Sequence, residues 1–269
     1  MTKNAFLATT PHASPTRELL AQAAVSRGME AVPLTGPDTA ARLGAQGGAA
    51  HFYGGPALGQ AVASELGVAL LEPADDWLPS LPREFTGRTI RLMPLAEARG
   101  LPGPFFAKPP RDKTFPAAVY EDGAALPDGP SAGEAGAPVL VSEVVDWAAE
   151  FRLFVLDGEV LTGSRYATYG RLDARELTDS HTPAGFHEFT YRLLADHGHT
   201  LPSAVVLDVG LLARPEGGAT GEWAVVEANM PWFSTLYAAD PARALEVTLR
   251  SAGPREAVAP RDRGFVRGL

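Results

Sequence analysis

The sequence predicts an α/β protein that becomes α+β in its C-terminal part, and three observations carry that expectation. Short apolar runs at 5–9, 31–34, 49–53 and 68–71 are separated by helix-like segments, the pattern of βαβ units and a mainly parallel sheet. Between 151 and 162 an alternating run, an Asp157-Gly158 turn and a returning run read as a β-hairpin. Two further apolar runs, 204–210 and 223–229, each enclose an acid in the middle of strand-forming residues.

The 269 residues are enough for one large or two modest domains with a real core. Apolar residues make up 45% and charged residues 20%, an ordinary globular composition. A formal net charge of −9 without a basic run does not suit polyanion binding, so no nucleic-acid partner is expected. There is no cysteine, which excludes disulfides, thiol catalysis and zinc–thiolate sites and suits the cytoplasm. No run approaches the ~18–20 apolar residues of a membrane span, and the start lacks the basic-then-apolar pattern of a secretory signal. A soluble, cytoplasmic protein is expected, its oligomeric state open between monomer and homodimer.

Taken in order, residues 5–9 form a short buried strand. Ser14-Pro15 opens a helix with Ser as N-cap and Pro in the first turn, Leu19, Leu20 and Ala23 supply its apolar face, and Gly28 stops it. Residues 31–34 and 49–53 are the next strands. Gly54-Gly55-Pro56 leads into a helix ending at Gly67, and 68–71 is the fourth strand. Gly54-Gly55 either admits a phosphate or is a plain tight turn; neither a full dinucleotide fingerprint nor a P-loop is present. This N-terminal unit spans 1–80.

Residues 72–104 are Pro-rich and read as a linker with a short helix at 95–99. Phe105-Phe106-Ala107-Lys108 is a strand ending in a lysine that is either solvated or placed against a bound anion. Residues 119–120 resume an extended pattern, and 121–138, dense in Gly, Pro, Ala and Asp, should be a loop. A buried strand runs from 138 to 145 with Glu143 near its end. The first and second units of the C-terminal part are assigned to 81–145 and 146–269. Arg152 lies among apolar neighbours on the hairpin and Arg165 follows its partner strand. Both suit phosphate oxygens, or else pair structurally with Glu143 or Glu150. Thr182-Pro183 caps a helix to about His197 with Phe189, Leu193 and Leu194 as core, and His197 and His199 mark its stop rather than a metal site. Asp240-Pro241 caps a last helix over 242–252, and the tail beyond Gly253 should fray.

The most informative stretch is Trp223 to Asn229. On a strand Glu227 and Asn229 share a face and aim oxygens at one point. If the Asp208 strand pairs with it, three oxygen ligands converge, the donor type a hard cation such as Mg²⁺ takes alongside substrate phosphates. Either acid alone reads more readily as a strand end facing water. Two such strands with a Glu-x-Asn pair favour the cation, because an acid among Val and Leu is costly to bury without a partner.

Together these residues resemble the ATP-grasp superfamily, in its compact bacterial and phage branch, over roughly 105–241. The N-terminal unit looks like the α/β domain that usually precedes this fold of two α+β subdomains clasping a nucleotide. The resemblance implies ATP as co-substrate with Mg²⁺ or Mn²⁺. It implies that Lys108 contacts phosphates, that Glu143, Val144 and Val145 form the strand receiving adenine, and that Glu150, seven residues on, holds the ribose. Asp208, Glu227 and Asn229 match the metal ligands in order. One departure is Pro-Pro-Arg-Asp-Lys after Lys108 in place of a glycine-rich loop. Lys113 would then be the second phosphate lysine, or Arg111 would share that work.

The activity implied is a ligase: a carboxylate is phosphorylated by ATP, and an amine then displaces phosphate from the acyl phosphate. Lys108, Arg152 and Arg165 would cradle the transferring group, since positioning and electrostatics supply most of phosphoryl-transfer catalysis. The substrates implied are a small carboxylate and amine, such as an amino acid, a peptide or a peptide terminus. Trp232 and Tyr237 bind substrate or form core; Arg171 and Arg175 hold a substrate carboxylate or lie on a solvated loop. A kinase and a non-catalytic nucleotide-binding module are the rival readings.

Overall fold

A computed structural model describes residues 5–111, 114–128, 134, 136–178, 182–214 and 216–268. The first strands, β1 (Ala5–Thr9), β2 (Glu30–Pro33) and β3 (Ala49–Tyr53), form a parallel sheet in the order β2-β1-β3. Helix α1 (Pro15–Ser26) starts as the sequence expects: the Ser14 hydroxyl accepts from the Arg17 N–H at 3.2 Å, and Gly28 follows the helix at φ +75°. The segment between β2 and β3 folds as α2 (Pro37–Gln46). Its Gly44 reads as a breaker in sequence, yet it lets α2 press on α3 (Pro56–Leu66): a Cβ there would collide with the Glu65 carbonyl oxygen.

Strand β4 (Val68–Leu70) corrects an expectation. It does not extend the parallel sheet but pairs antiparallel with the C-terminal β14 (Ala252–Pro254). The tail expected to fray is therefore tied down. Val266 is buried and bridges Leu71, Arg267 reaches Glu72 at 2.9 Å, and Asp262 accepts from the N–H and hydroxyl of Ser203 at 2.7 and 2.6 Å.

The Pro-rich region is ordered into α4 (Trp77–Ser80), α5 (Arg83–Thr86), β5 (Ile90–Pro94) and the expected short helix, α6 (Leu95–Ala98). β5 was missed because it ends in proline and lies on a sheet edge, where proline is tolerated. With β6 (Phe105–Lys108), β7 (Ala118–Tyr120) and β8 (Pro138–Ser142) it makes an antiparallel sheet ordered β5-β8-β6-β7. Phe105, Ala107, Val139 and Val141 turn into an apolar cluster on one face; Lys108 alternates to the other. Part of the expected loop at 121–138 lies outside the described residues, as does Lys113.

The largest sheet is antiparallel and ordered β11-β10-β9-β12-β13, from β9 (Trp147–Leu156), β10 (Glu159–Thr168), β11 (Arg171–Glu176), β12 (Ala204–Ala213) and β13 (Ala219–Asn229). The hairpin turns at Asp157-Gly158 as expected, and Arg171 and Arg175 lie on β11, a charged edge strand rather than a loop. Phe151, Leu153, Val155, Leu207, Val209, Trp223 and Val225 pack under α7 (Phe186–His197), whose Phe186, Phe189 and Leu193 complete that core. The helix starts after Gly185 rather than at Thr182-Pro183. On the opposite face, Phe154, Ala204 and Val206 pack against Leu7, Leu20 and α8 (Pro241–Ser251), which Asp240 caps. Among the described residues no helix is long and apolar enough to cross a membrane.

Candidate active site

Where that apolar cover ends, the same face of the large sheet turns polar. The strand registers align Ser164 on β10, Arg152 on β9, Asp208 on β12 and Glu227 on β13 as one row. Arg152 grips Asp208 with two parallel bonds, Nε to Oδ1 at 2.8 Å and a terminal nitrogen to Oδ2 at 2.6 Å. Asp208 is only 1% exposed, and this bidentate pair is what makes a buried carboxylate tolerable. Burial still pushes its carboxyl up to about 6 against the pull of Arg152. Asn229 donates to Glu227 at 2.7 Å, so the Glu-x-Asn pair does share a face.

Lys108 reaches over from the four-stranded sheet to bond Glu227, so the two sheets meet at this ion pair. Burial opposes the charge on Glu227, but Lys108, the Asn229 amide and Arg152 overcome it and hold the carboxyl down at about 2. The space beside the pair, lined by Asp75, Lys108, Leu140 and Glu227 among others, is about 30 Å³. Among the described residues no three acidic or histidine side chains gather as a cage. Two carboxylates and an amide are instead the donor set for an ion that shares substrate phosphates, and the Lys108 ammonium already stands as a cation against Glu227.

Tyr166 and Tyr237, neither given a role in advance with Arg152, cover the guanidinium at 5.6 and 5.3 Å and stack on each other at 5.0 Å. Tyr237 sits at φ +52°, a conformation that non-glycine residues rarely hold. Both neighbours are fastened: the Leu236 N–H donates to Thr16 and the Ala238 N–H to Ser164. Of the proposed aromatic pair, Trp232 goes to the core, fully buried with its indole on the Leu71 carbonyl, and Tyr237 goes to the cleft. Glu150 lies two residues before Arg152 and accepts the Tyr166 hydroxyl at 2.8 Å.

Other expected residues are placed differently. Arg165 is opposite Phe151, on the alternate register from Arg152, and bonds Asp173 at 2.6 Å, away from the Asp208 row. Arg175 also pairs with Asp173, and Arg171 is exposed on β11. Arg111 is held by Glu72 and Asp75. Glu143 lies just past β8 and accepts from the Thr89 N–H at 2.7 Å, a bond that lowers its carboxyl pKa. Among the described residues the backbone groups of Val144 and Val145 carry no hydrogen bond.

A family profile described as an ATP-grasp domain, the second family of its clade, matches residues 85–247. Comparison with curated proteins found no match. Among solved structures, the chain is similar to D-alanine–D-alanine ligase from Bacillus anthracis, at 13% identity over 93% of this chain and 97% of that one, with a TM-score of 0.55. The same ligase complexed with ATP gives 12% identity, 92% and 96% coverage and a TM-score of 0.56. The ATP-grasp ligase PsnB complexed with minimal precursor gives 14%, 93%, 99% and 0.51. At these identities the likeness is one of fold.

Proposed function

Because the chain belongs to the ATP-grasp superfamily, its family match covering more than half of its length, we propose that it is an ATP-dependent carboxylate–amine ligase. The observation that carries this reading is the row of Arg152, Asp208 and Glu227 with Asn229 beside it and Lys108 facing it from the second sheet. Nucleotide binding is assigned to the space between the two sheets, with adenine against the backbone of Val144 and Val145 beside Glu143, and ribose toward Glu150. Ligand pockets for molecules of this size run to ~300–1,000 Å³. The 30 Å³ lined by Lys108 and Glu227 is one small part of that space, and in this reading Lys108 leaves Glu227 as the phosphates bind.

Asp208, Glu227 and Asn229 would hold Mg²⁺, which when bound neutralises charge on the phosphates. Lys108, released from Glu227, binds phosphate oxygens. Arg152 keeps Asp208 ionised and oriented, while its remaining nitrogen donates to the Thr235 carbonyl at 3.5 Å. The donor carboxylate takes the γ-phosphoryl group, giving an acyl phosphate and ADP. The amine nitrogen then bonds the carbonyl carbon as inorganic phosphate leaves. The stacked tyrosines beside Arg152 make an amphipathic wall suited to an amino acid, a peptide or a peptide terminus. Arg165, held on Asp173, is left out of this mechanism.

The test is ADP release from MgATP with pooled amino acids and dipeptides, with hydroxylamine to trap an acyl phosphate and Glu227→Gln as control. ADP and a hydroxamate, both lost in the variant, are expected. A stable phosphorylated product without hydroxamate would make the protein a kinase, and nucleotide binding without turnover would make it a binding module.

A further inference from the structure

Glu227 points into the site through a backbone irregularity. Val209 is opposite Val225 and Asp208 is opposite Glu227, so β13 spends one extra residue, Val226, between two adjacent residues of β12. On a regular strand residues 225 and 227 would share a face. Here Val225 packs in the core under α7 while Glu227 lies on the Arg152–Asp208 face. Without the bulge the carboxylate would turn into that core, since a one-residue slip exchanges the faces of a strand.

A buried arginine closes the bulge. Arg88, 6% exposed, follows Gly87 at the end of α5 and donates to the carbonyls of Val225 at 2.9 Å and Val226 at 3.2 Å, and to Thr86 at 2.9 Å. β13 is an edge of its sheet, so these carbonyls have no strand beyond them. The guanidinium lies 5.2 Å from the Trp147 ring, and that ring lies so close on Gly210 that a Cβ there would run into it. Among the described residues Arg88 has no carboxylate within ion-pair distance. Burial lowers its pKa to about 10, with Glu227 the charge that counters it, so it remains a cation at neutral pH. A buried charge satisfied only by carbonyls and a ring is costly, and it is spent at the bulge that aims Glu227. The adjacent Thr89 joins the other end of the cleft, its carbonyl accepting the Glu143 N–H at 3.1 Å and its N–H bonding the Glu143 carboxylate.

We propose that Arg88 is a positioning residue of the divalent-cation site: by holding the Val225 and Val226 carbonyls it locks the bulge that presents Glu227 to the ion. This rests on the reading above, that Glu227 is a ligand of that ion. Groups that orient a ligand from behind typically change metal affinity by about 10–100-fold when removed.

The experiment titrates Mn²⁺ into the full chain at saturating ADP, read by the bound fraction of the ion, and separately titrates ADP without metal. For Arg88→Met we expect Mn²⁺ affinity to fall by about tenfold or more, with metal-free ADP affinity within about twofold of the parent. Arg88→Lys keeps the charge but not the fork of donors, so it should show an intermediate loss; it also supplies the answer if the methionine variant fails to fold. Equal loss of ADP affinity with and without Mn²⁺ would mean that Arg88 touches the nucleotide itself and would overturn the proposal. So would unchanged Mn²⁺ affinity in either folded variant. Absence of Mn²⁺–ADP binding by the parent chain would instead remove the functional reading beneath it.

Discussion

Of the carboxylates that face the cleft, Asp208 and Glu227 each have a cation in contact, while among the described residues Glu150 has the Tyr166 hydroxyl alone. Burial raises its pKa, and Glu227 adds to the rise. A raised carboxyl stabilises the fold below the ordinary carboxylate range, and that contribution is lost as pH climbs through the raised value. Glu150→Gln, which keeps an acceptor for Tyr166 but cannot ionise, should therefore gain stability relative to the parent as pH rises above the ordinary carboxylate range, about pH 4. Thermal unfolding of both proteins from that pH upward measures it; a constant difference would show that Glu150 ionises without strain. At this scale the sequence named the participants by chemical type. It could not tell Arg152 from Arg165. Both sit in strand-like runs near one hairpin, and only the register, Arg152 opposite Asp208 and Arg165 opposite Phe151, separates them.

Elements were legible where apolar periodicity and caps agreed, as in α1 with Ser14 and Pro15 or α8 with Asp240 and Pro241. They were lost where residues served a neighbour instead of their own element. Gly44 is the case in point: it weakens α2 locally and permits its contact with Glu65. Gly44→Ala should improve helix propensity yet cost about 1–3 kcal/mol through the clash with α3, read as a lower denaturant midpoint at unchanged slope. A stabilised variant would mean that the two helices can move apart freely. β5 and β11 were missed for a related reason, since edge strands carry the proline and charges that also mark loops.

For the whole molecule, the last residues act as a strap. They join β4, Glu72 and the start of β12 through β14, Arg267 and Asp262. A chain stopped after Ala257 leaves the buried Ser203 donors without their acceptor and uncovers Leu71, and should lose about 3 kcal/mol or more in urea unfolding. A midpoint equal to that of the full chain would show that the strap carries no stability. Glu72 also holds Arg111, so the strap is linked to the chain that follows Lys108.

By itself the sequence determined the fold class, the order of most strands and helices, and the oxygen-rich character of the site. Those follow from local propensity, from apolar spacing and from the cost of placing acids among Val and Leu. Tertiary structure alone decided that the tail returns to β4, that Arg165 stays outside the cleft, and that Tyr237 rather than Trp232 faces it. It also decided the aim of Glu227, because a strand pattern fixes faces only while the register is unbroken. The bulge at Val226 and the arginine that fills it come from residues 138 positions apart.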